Sequence, residues 1–311
     1  MTHPGACARI VSSSCRVAGL ALVCVALLAS CRSPPEGGSL GGGNVDAELA
    51  ALVELWTERS AQNPMDRDDV DDVRPEDVRR GLARLAERAP RHAGVLVACG
   101  AVALEDGDPD DASQWLDRAL VVEPAHVGAA CLRAGLAASQ GNTARARRIL
   151  ETARLLDPAA PELAESLAGI DYLDGRLGDA GRLLTEAEQL LAEAERDLEE
   201  RRQALLERRQ ALEERRQALA EAEAPQPEER EAVEHEQRAV DLEERAVARE
   251  AERLERIDLN VPWHRGLVSE GANASEEARA AYKQAAEDDP EDVEAVHRLR
   301  ALEALEGDTQ P

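Results

Sequence analysis

The chain has 311 residues, with 63 acidic against 37 basic side chains, a formal charge of −26 and a single lysine, Lys283. That balance argues against a nucleic-acid binder, which needs a net basic face to displace counterions from phosphates. With no phenylalanine and five other aromatics, the 43% apolar content is mostly Ala, Leu and Val, a helix-forming composition that argues against a sheet-rich fold. Length alone allows about two domains. At the N-terminus, residues 1 to 30 carry Arg9 and Arg16, no acid, and then the apolar run Val17 to Leu28. That run is too short to span a bilayer as a mature helix and reads as a secretory signal.

The run ends in Leu28-Ala29-Ser30-Cys31, which resembles the bacterial lipobox, with small residues before the cysteine and a Gly/Pro/Ser tether after it. The resemblance implies cleavage before Cys31 and acylation of its sulfur; the alternatives are an ordinary signal peptide with a chance cysteine, or an uncleaved anchor. Cleavage would remove two positive charges and no negative ones, taking the charge from −26 to −28. Acyl chains rather than charge would then hold the protein to a membrane, because an acidic surface is repelled by anionic headgroups. Arg32 is not the aspartate of the inner-membrane retention rule, so the resemblance implies the cell envelope, on the outer membrane facing the periplasm. Of six cysteines, Cys7, Cys15 and Cys24 would leave with the signal and Cys31 would carry lipid. Only Cys99 and Cys131 remain, which excludes a multi-bridge disulfide scaffold. They could pair, or they could be two small buried residues on neighbouring helices.

Beyond the tether (residues 31–44), a step of thirty-four residues links Pro90, Pro124 and Pro158, and also Gly100, Ala134 and Ala168. The same step links Gly107, Gly141 and Gly175; Ala112, Ala146 and Ala180; Leu116, Leu150 and Leu184; and Ala119, Ala153 and Ala187. The glycines fall where a first helix must turn, the small residues where paired helices approach, and proline where a second helix must end. This pattern resembles the tetratricopeptide repeat, a helix-turn-helix unit that stacks into a superhelix. Residues 93–126, 127–160 and 161–192 match three units, preceded by a degenerate unit over residues 45–60 and 75–89, so that repeats occupy 45–192. The usual Trp and Tyr of the first helix are mostly absent, with Leu96 and Ala130 in the first of those places.

Ala192 stands where proline should end the third unit, and a seven-residue period takes over. Leu184, Leu191, Leu198, Leu205, Leu212 and Leu219 fall in one line, and Arg-Arg-Gln-Ala-Leu recurs at 201, 208 and 215. A breaker at Ala224-Pro225-Gln226-Pro227 precedes a second line, Val233, Val240, Val247 and Leu254. Two such helices joined by a short turn read as an antiparallel coiled-coil hairpin over residues 193–258. A turn centred between Pro225 and Gln226 sets Arg215 opposite Glu236, Arg208 opposite Glu243 and Arg201 opposite Glu250. Arg202, Arg209 and Arg216 would take the other core site, leaving a thin seam. A solvated single helix or a coiled coil between chains remains the alternative. A helix over about 183–223 would run ~60 Å at 1.5 Å per residue and project from the array. Residues 259–306 then resume the repeat, with Gly266, Ala278, Tyr282, Ala285 and Pro290 at the family spacing and a polar capping helix over 291–306. A tail, 307–311, closes the chain. The fold class expected is all-α: a tetratricopeptide-type helical solenoid with a long antiparallel coiled-coil hairpin inserted between repeats.

Chemistry is hard to find. His92, His126, His235, His264 and His297 have no metal-ligand spacing and read as surface residues, and no metal is implied. The glycine-rich 37–43 run is followed by no Gly-Lys-Ser/Thr, so it reads as tether. The cluster Asp66, Asp68, Asp69, Asp71 and Asp72 lacks the central glycine and terminal glutamate of a calcium loop and reads as solvated. No nucleophile elbow or Cys/His pair appears, so no catalytic residue, cofactor or small-molecule substrate is expected. The resemblance does imply a concave groove lined by first helices: Gly94, Val97, Ala101 and Leu104, then Gly128, Cys131, Gly135 and Ala138, then Glu162, Glu165, Gly169 and Tyr172. The groove could receive a helical or extended segment of another protein, or be filled by the chain's own helix around Leu52, Leu55 and Trp56. The function expected is a lipid-anchored envelope scaffold that binds proteins through groove and arm without catalysis. The alternatives are a spacer that self-associates through the arm, or an accessory subunit of an outer-membrane assembly or secretion machine.

Overall fold

The computed structural model describes residues 42–61, 75–221, 227–255, 257, 259–289 and 293–307. The signal, Cys31, the acidic cluster at 66–72, the breaker at 224–226 and residues 308–311 lie outside the described residues. Among those described, every regular element is an α-helix, in the order α1 (Gly42–Ala61), α2 (Pro75–Arg88), α3 (Ala93–Glu105), α4 (Pro109–Val122), α5 (Val127–Ser139) and α6 (Thr143–Leu156). Then follow α7 (Pro161–Leu173), α8 (Leu177–Glu221), α9 (Pro227–Glu255), α10 (Val261–Gly271), α11 (Ser275–Asp288) and α12 (Val293–Gly307). The helices divide into two compact units, one running to residue 190 and resuming at 257, the other covering 191–256. The all-α solenoid expected from the thirty-four-residue step is the architecture of the first unit. Helix α1 begins at Gly42, three residues inside the stretch expected as tether.

In that unit α1 packs on α2, α3 on α4, α5 on α6 and α10 on α11, while α2 meets α3, α4 meets α5 and α6 meets α7. The first helices also lie beside one another, α3 by α5, α5 by α7 and α7 by α10. The last contact carries the array across the insertion. Ala168 of α7, Ala180 and Leu184 at the start of α8, and Val261 of α10 form one buried cluster. The turns from α3 to α4, α5 to α6 and α7 to α8 each pass through a left-handed residue: Gly107, Gly141 and Gly175 at φ +75°, +79° and +75°. The residue after each glycine donates to a carbonyl five positions back, as in Asp108 N–H to Ala103 O at 2.9 Å and Asn142 N–H to Ala137 O at 2.9 Å, closing the helix in a Schellman motif. The unit of α10 and α11 makes the same turn with Asn273 at φ +61° and the same Ala274-to-Ser269 bond. Asparagine is the side-chain-bearing residue best suited to that conformation. A turn pattern built on glycine alone does not reveal this position.

Close approach explains the small residues. A Cβ on Gly100 would sit 2.8 Å from Leu116 Cγ, and one on Gly266 would sit 2.3 Å from Tyr282 Cε1. Tyr282 is fully buried beside Trp263, the ring centroids 5.3 Å apart and tilted by 50°. Its hydroxyl donates to Glu270 at 2.8 Å, and Arg298 of the terminal helix grips the same carboxylate at 2.8 Å. The expected capping helix is thus pinned through one glutamate.

The second unit is held more sparingly. In the α8 part of this unit Leu198, Leu205 and Leu212 are buried, and in α9 Val233, Val240, Val247, Ala251 and Leu254. Leu219 is half-buried. One row thus faces one row, and the positions of Arg202, Arg209 and Arg216 are exposed rather than core.

Candidate interaction surfaces

The expected inner groove does not survive intact at its first unit. Val97 and Ala101 are fully buried, in one cluster with Leu49, Val53 and Trp56 of α1. Helix α1 is tied beside α3 at both ends: His92 Nε2 lies 2.9 Å from Asp46 Oδ1, and Trp56 Nε1–H donates to Glu105 Oε2 at 2.6 Å. These two groove residues are therefore core, in a cluster that α1 joins through Leu49, Val53 and Trp56, while Leu55 stays exposed. Leu104, near the C-terminal end of α3, stays half-buried.

In the second repeat, residues 127–160, Ala138 is buried, while Cys131 and Gly135 are half-buried, and a side chain added at Gly135 would meet open space. In the third, Glu165 Oε1 lies 3.0 Å from His264 Nδ1, so this expected lining carboxylate links α7 to α10. Tyr172 packs against the Trp263 and Val261 clusters. The cleft there, lined in part by Gly169, Tyr172 and His264, has a volume of about 10 Å³, room for one water at most. Of the expected lining, Leu104, Cys131, Gly135, Glu162 and Gly169 stay half-buried, and a Cβ added at Gly135 or Gly169 would meet open space.

Along the arm the arginines have these partners. Arg215 Nη1 reaches Glu236 at 3.1 Å and Arg208 Nη1 reaches Glu243 at 2.9 Å. Arg201 makes no such pair: Glu250 lies 3.6 Å from Arg253 on its own helix. An unanticipated bridge joins Arg209 to Glu244 at 3.2 Å, so one of the arginines expected in the seam works at its edge.

Two histidines expected at the surface are structural. His126 is buried and His92 half-buried, and each accepts a backbone N–H through Nδ1, from Ala129 at 3.2 Å and Val95 at 3.3 Å. They are N-caps of α5 and α3, one repeat apart, and the spacing of thirty-four could have revealed them. Burial pushes the His126 imidazole down to about 4 and raises Glu123, which ends α4. Cys99 and Cys131 are unpaired thiols, each pushed up to about 12 by burial, hence poor nucleophiles. Ser166 Oγ donates to Cys131 Sγ at 3.3 Å. Among the described residues no His, Cys, Asp or Glu cluster could hold a metal, and no helix is long and apolar enough to cross a membrane. Sequence reasoning also missed a buried ionic knot in which Asp171 of α7 is met by Arg147 of α6 and, at 2.8 Å, by Arg176.

No family model matches the chain, and no curated protein does. Solved structures do. A thermophilic TPR protein of Thermus thermophilus matches with a TM-score of 0.50 at 13% identity, covering 83% of this chain and 98% of that one. A tetratricopeptide repeat protein from Parabacteroides merdae matches with a TM-score of 0.37 at 12% identity, covering 84% of this chain and 98% of that one. The first likeness establishes the tetratricopeptide-type fold and nothing finer.

Proposed function

We propose that this chain is a lipid-anchored scaffold of a bacterial envelope that binds other proteins and performs no catalysis of its own. The observation that carries the reading is the partition of the chain into a stacked helical array and a separate heptad-patterned unit, an arrangement that offers extended surface for contacts with other proteins. The lipobox-like Leu28-Ala29-Ser30-Cys31 supports the anchor and, with Arg32 following, the outer membrane. Partners are proteins, met on the inner face around Leu104 and Gly135 and along the arm; no nucleic acid is drawn to a chain of −26. The test is photo-crosslinking in the native cell from positions 135 and 206, together with fractionation of a Cys31→Ser variant. Protein adducts from either position and release of the variant from membranes are expected. Absence of any adduct overturns the scaffold, and continued membrane association of the variant overturns the anchor.

A second reading, a spacer that self-associates through its arm, draws on Leu206 and Leu242, which are 57% and 64% exposed on the two arm helices. It predicts a concentration-dependent dimer in sedimentation that Leu206→Ser with Leu242→Ser abolishes.

A further inference from the structure

The largest apolar exposures in the array lie on its second helices. Val121 of α4 is 83% exposed and Leu155 of α6 is 84% exposed, at equivalent places one repeat apart, with Leu156 half-exposed beside the latter. Next to them is a cleft of about 340 Å³ between α4 and α6, with Leu120, Pro124 and Ile149 forming its apolar wall and Arg145, Arg148 and Thr152 its polar rim. Residues 143–156 hold four arginines and one glutamate, a local reversal in a chain of −26. Two of those arginines are spent within the fold, Arg147 on Asp171 and Arg154 on Glu186. The two at the cleft are less fully neutralised: Arg145 meets Asp117 at 3.8 Å, a carboxylate already held in a two-point clasp by buried Arg133 at 2.7 and 3.3 Å. Arg148 makes no ion pair among the described residues. Thr152 donates its hydroxyl to the Arg148 carbonyl, which leaves its oxygen lone pairs free to accept.

An apolar cleft with one unpaired guanidinium, Arg148, and one that shares its carboxylate, Arg145, at its lip suits an amphipathic helix with leucine-type residues on one face and carboxylates flanking them. We infer that the cleft between α4 and α6 is a docking site for an acidic amphipathic helix of a partner protein, received on the outer helices rather than in the inner groove. Charge complementarity selects the partner: the chain as a whole is acidic, whereas residues 143–156 carry four arginines against one glutamate and set two of those arginines at the cleft. A membrane is disfavoured as the occupant, because anionic headgroups would meet the acidity of the whole chain before two arginines. The inference rests on the protein-binding reading above, which is judged by adducts from positions 135 and 206, so that failure at the cleft leaves that reading standing.

The experiment is fluorescence anisotropy with the full chain and a labelled eighteen-residue peptide carrying Leu at i, i+3, i+4 and i+7 and Glu at the flanking positions. The wild-type protein is expected to bind it, with affinity falling as salt rises from about 0.05 to 0.3 M, and to bind at least about tenfold more weakly a peptide with Lys in place of Glu. Arg145→Glu with Arg148→Glu should weaken binding by at least about tenfold, and Val121→Ser with Leu155→Ser by a similar factor, both with unchanged circular dichroism and melting. Gly135→Arg on the inner face should change nothing. The inference is overturned by no binding to the wild-type protein, by a loss on Gly135→Arg equal to that on charge reversal, or by indifference to charge reversal. It is equally overturned by binding to phosphatidylserine vesicles without peptide binding, or by charge reversal converting a dimer of the chain to monomer.

Discussion

The repeat array and the arm are built from the same leucine, alanine and arginine, yet they are held differently. In the array a leucine such as Leu150 is fully buried in a cluster fed by three helices, α5, α6 and α7. In the arm Leu212 is buried in a seam that one row of leucines and one row of valines supply, with exposed ion pairs at its edges. Burial on several sides makes a site intolerant of voids, because surrounding atoms cannot all collapse into the gap; a two-helix seam can close by a small shift of one helix. The largest expected effect follows. Leu150→Ala should destabilise the array by about 3–4 kcal/mol, while Leu212→Ala should cost the arm about 1 kcal/mol. Denaturant melts of the two variants measure both, and equal losses would end the distinction.

The second prediction sharpens the array side. The neutral His126 ring accepts the Ala129 N–H; a protonated ring cannot. Its folded value of about 4 lies below the unfolded 6.5, so between those pH values the unfolded chain binds a proton that the folded chain refuses. Stability therefore falls as pH drops from about 6.5 to about 4, by up to ~3 kcal/mol, and this contribution is constant outside that window. Glu123, raised by burial, acts in the opposite direction, so the variant rather than the wild-type curve isolates the histidine. His126→Asn keeps a capping acceptor that does not titrate and should flatten the pH dependence of the array melt; an unchanged slope refutes the assignment.

The turns give a smaller effect. Gly141→Ala places a Cβ at φ +79° and should destabilise by about 1 kcal/mol, whereas Asn273→Gly at φ +61° should gain a few tenths. Thermal melts that leave Gly141→Ala neutral would mean the turn relaxes.

These sites also show what could be read in advance. The array was legible because its constraints are single-residue ones repeated at a fixed step: a glycine for a left-handed turn, a small residue for close approach, a proline for a stop. Whether Val97 and Ala101 are lining or core was not legible, because it depends on how far α1 extends and on the bonds Trp56 and Asp46 make beyond it. The histidine caps and the reversed charge of residues 143–156 were in plain sight. The caps are legible from their thirty-four-residue recurrence rather than from metal-ligand spacing, and the charge reversal from residues 143–156 taken alone rather than from the whole-chain sum.

The smallest expected effect tests the arm's edge. The turn position gives the level at which residues face each other, but it does not say which of two nearby arginines a glutamate chooses. Glu250 chooses Arg253, one turn along its own helix, and Arg201 is left without a cross-helix partner. Exposed pairs of this kind contribute a few tenths of a kcal/mol, up to ~1, and are screened by salt. Arg208→Glu should therefore weaken the arm by more than Arg201→Glu, because it turns two attractions, to Glu243 at 2.9 Å and to Glu236 at 3.9 Å, into repulsions. The difference should exist at about 0.02 M salt and vanish near 1 M. A distance measurement between labels on introduced cysteines at positions 206 and 242 reads it directly, since the native Cys99 and Cys131 thiols, pushed up to about 12, label slowly. Equal sensitivity of the two arginines would mean that bulk charge rather than specific pairing sets the register.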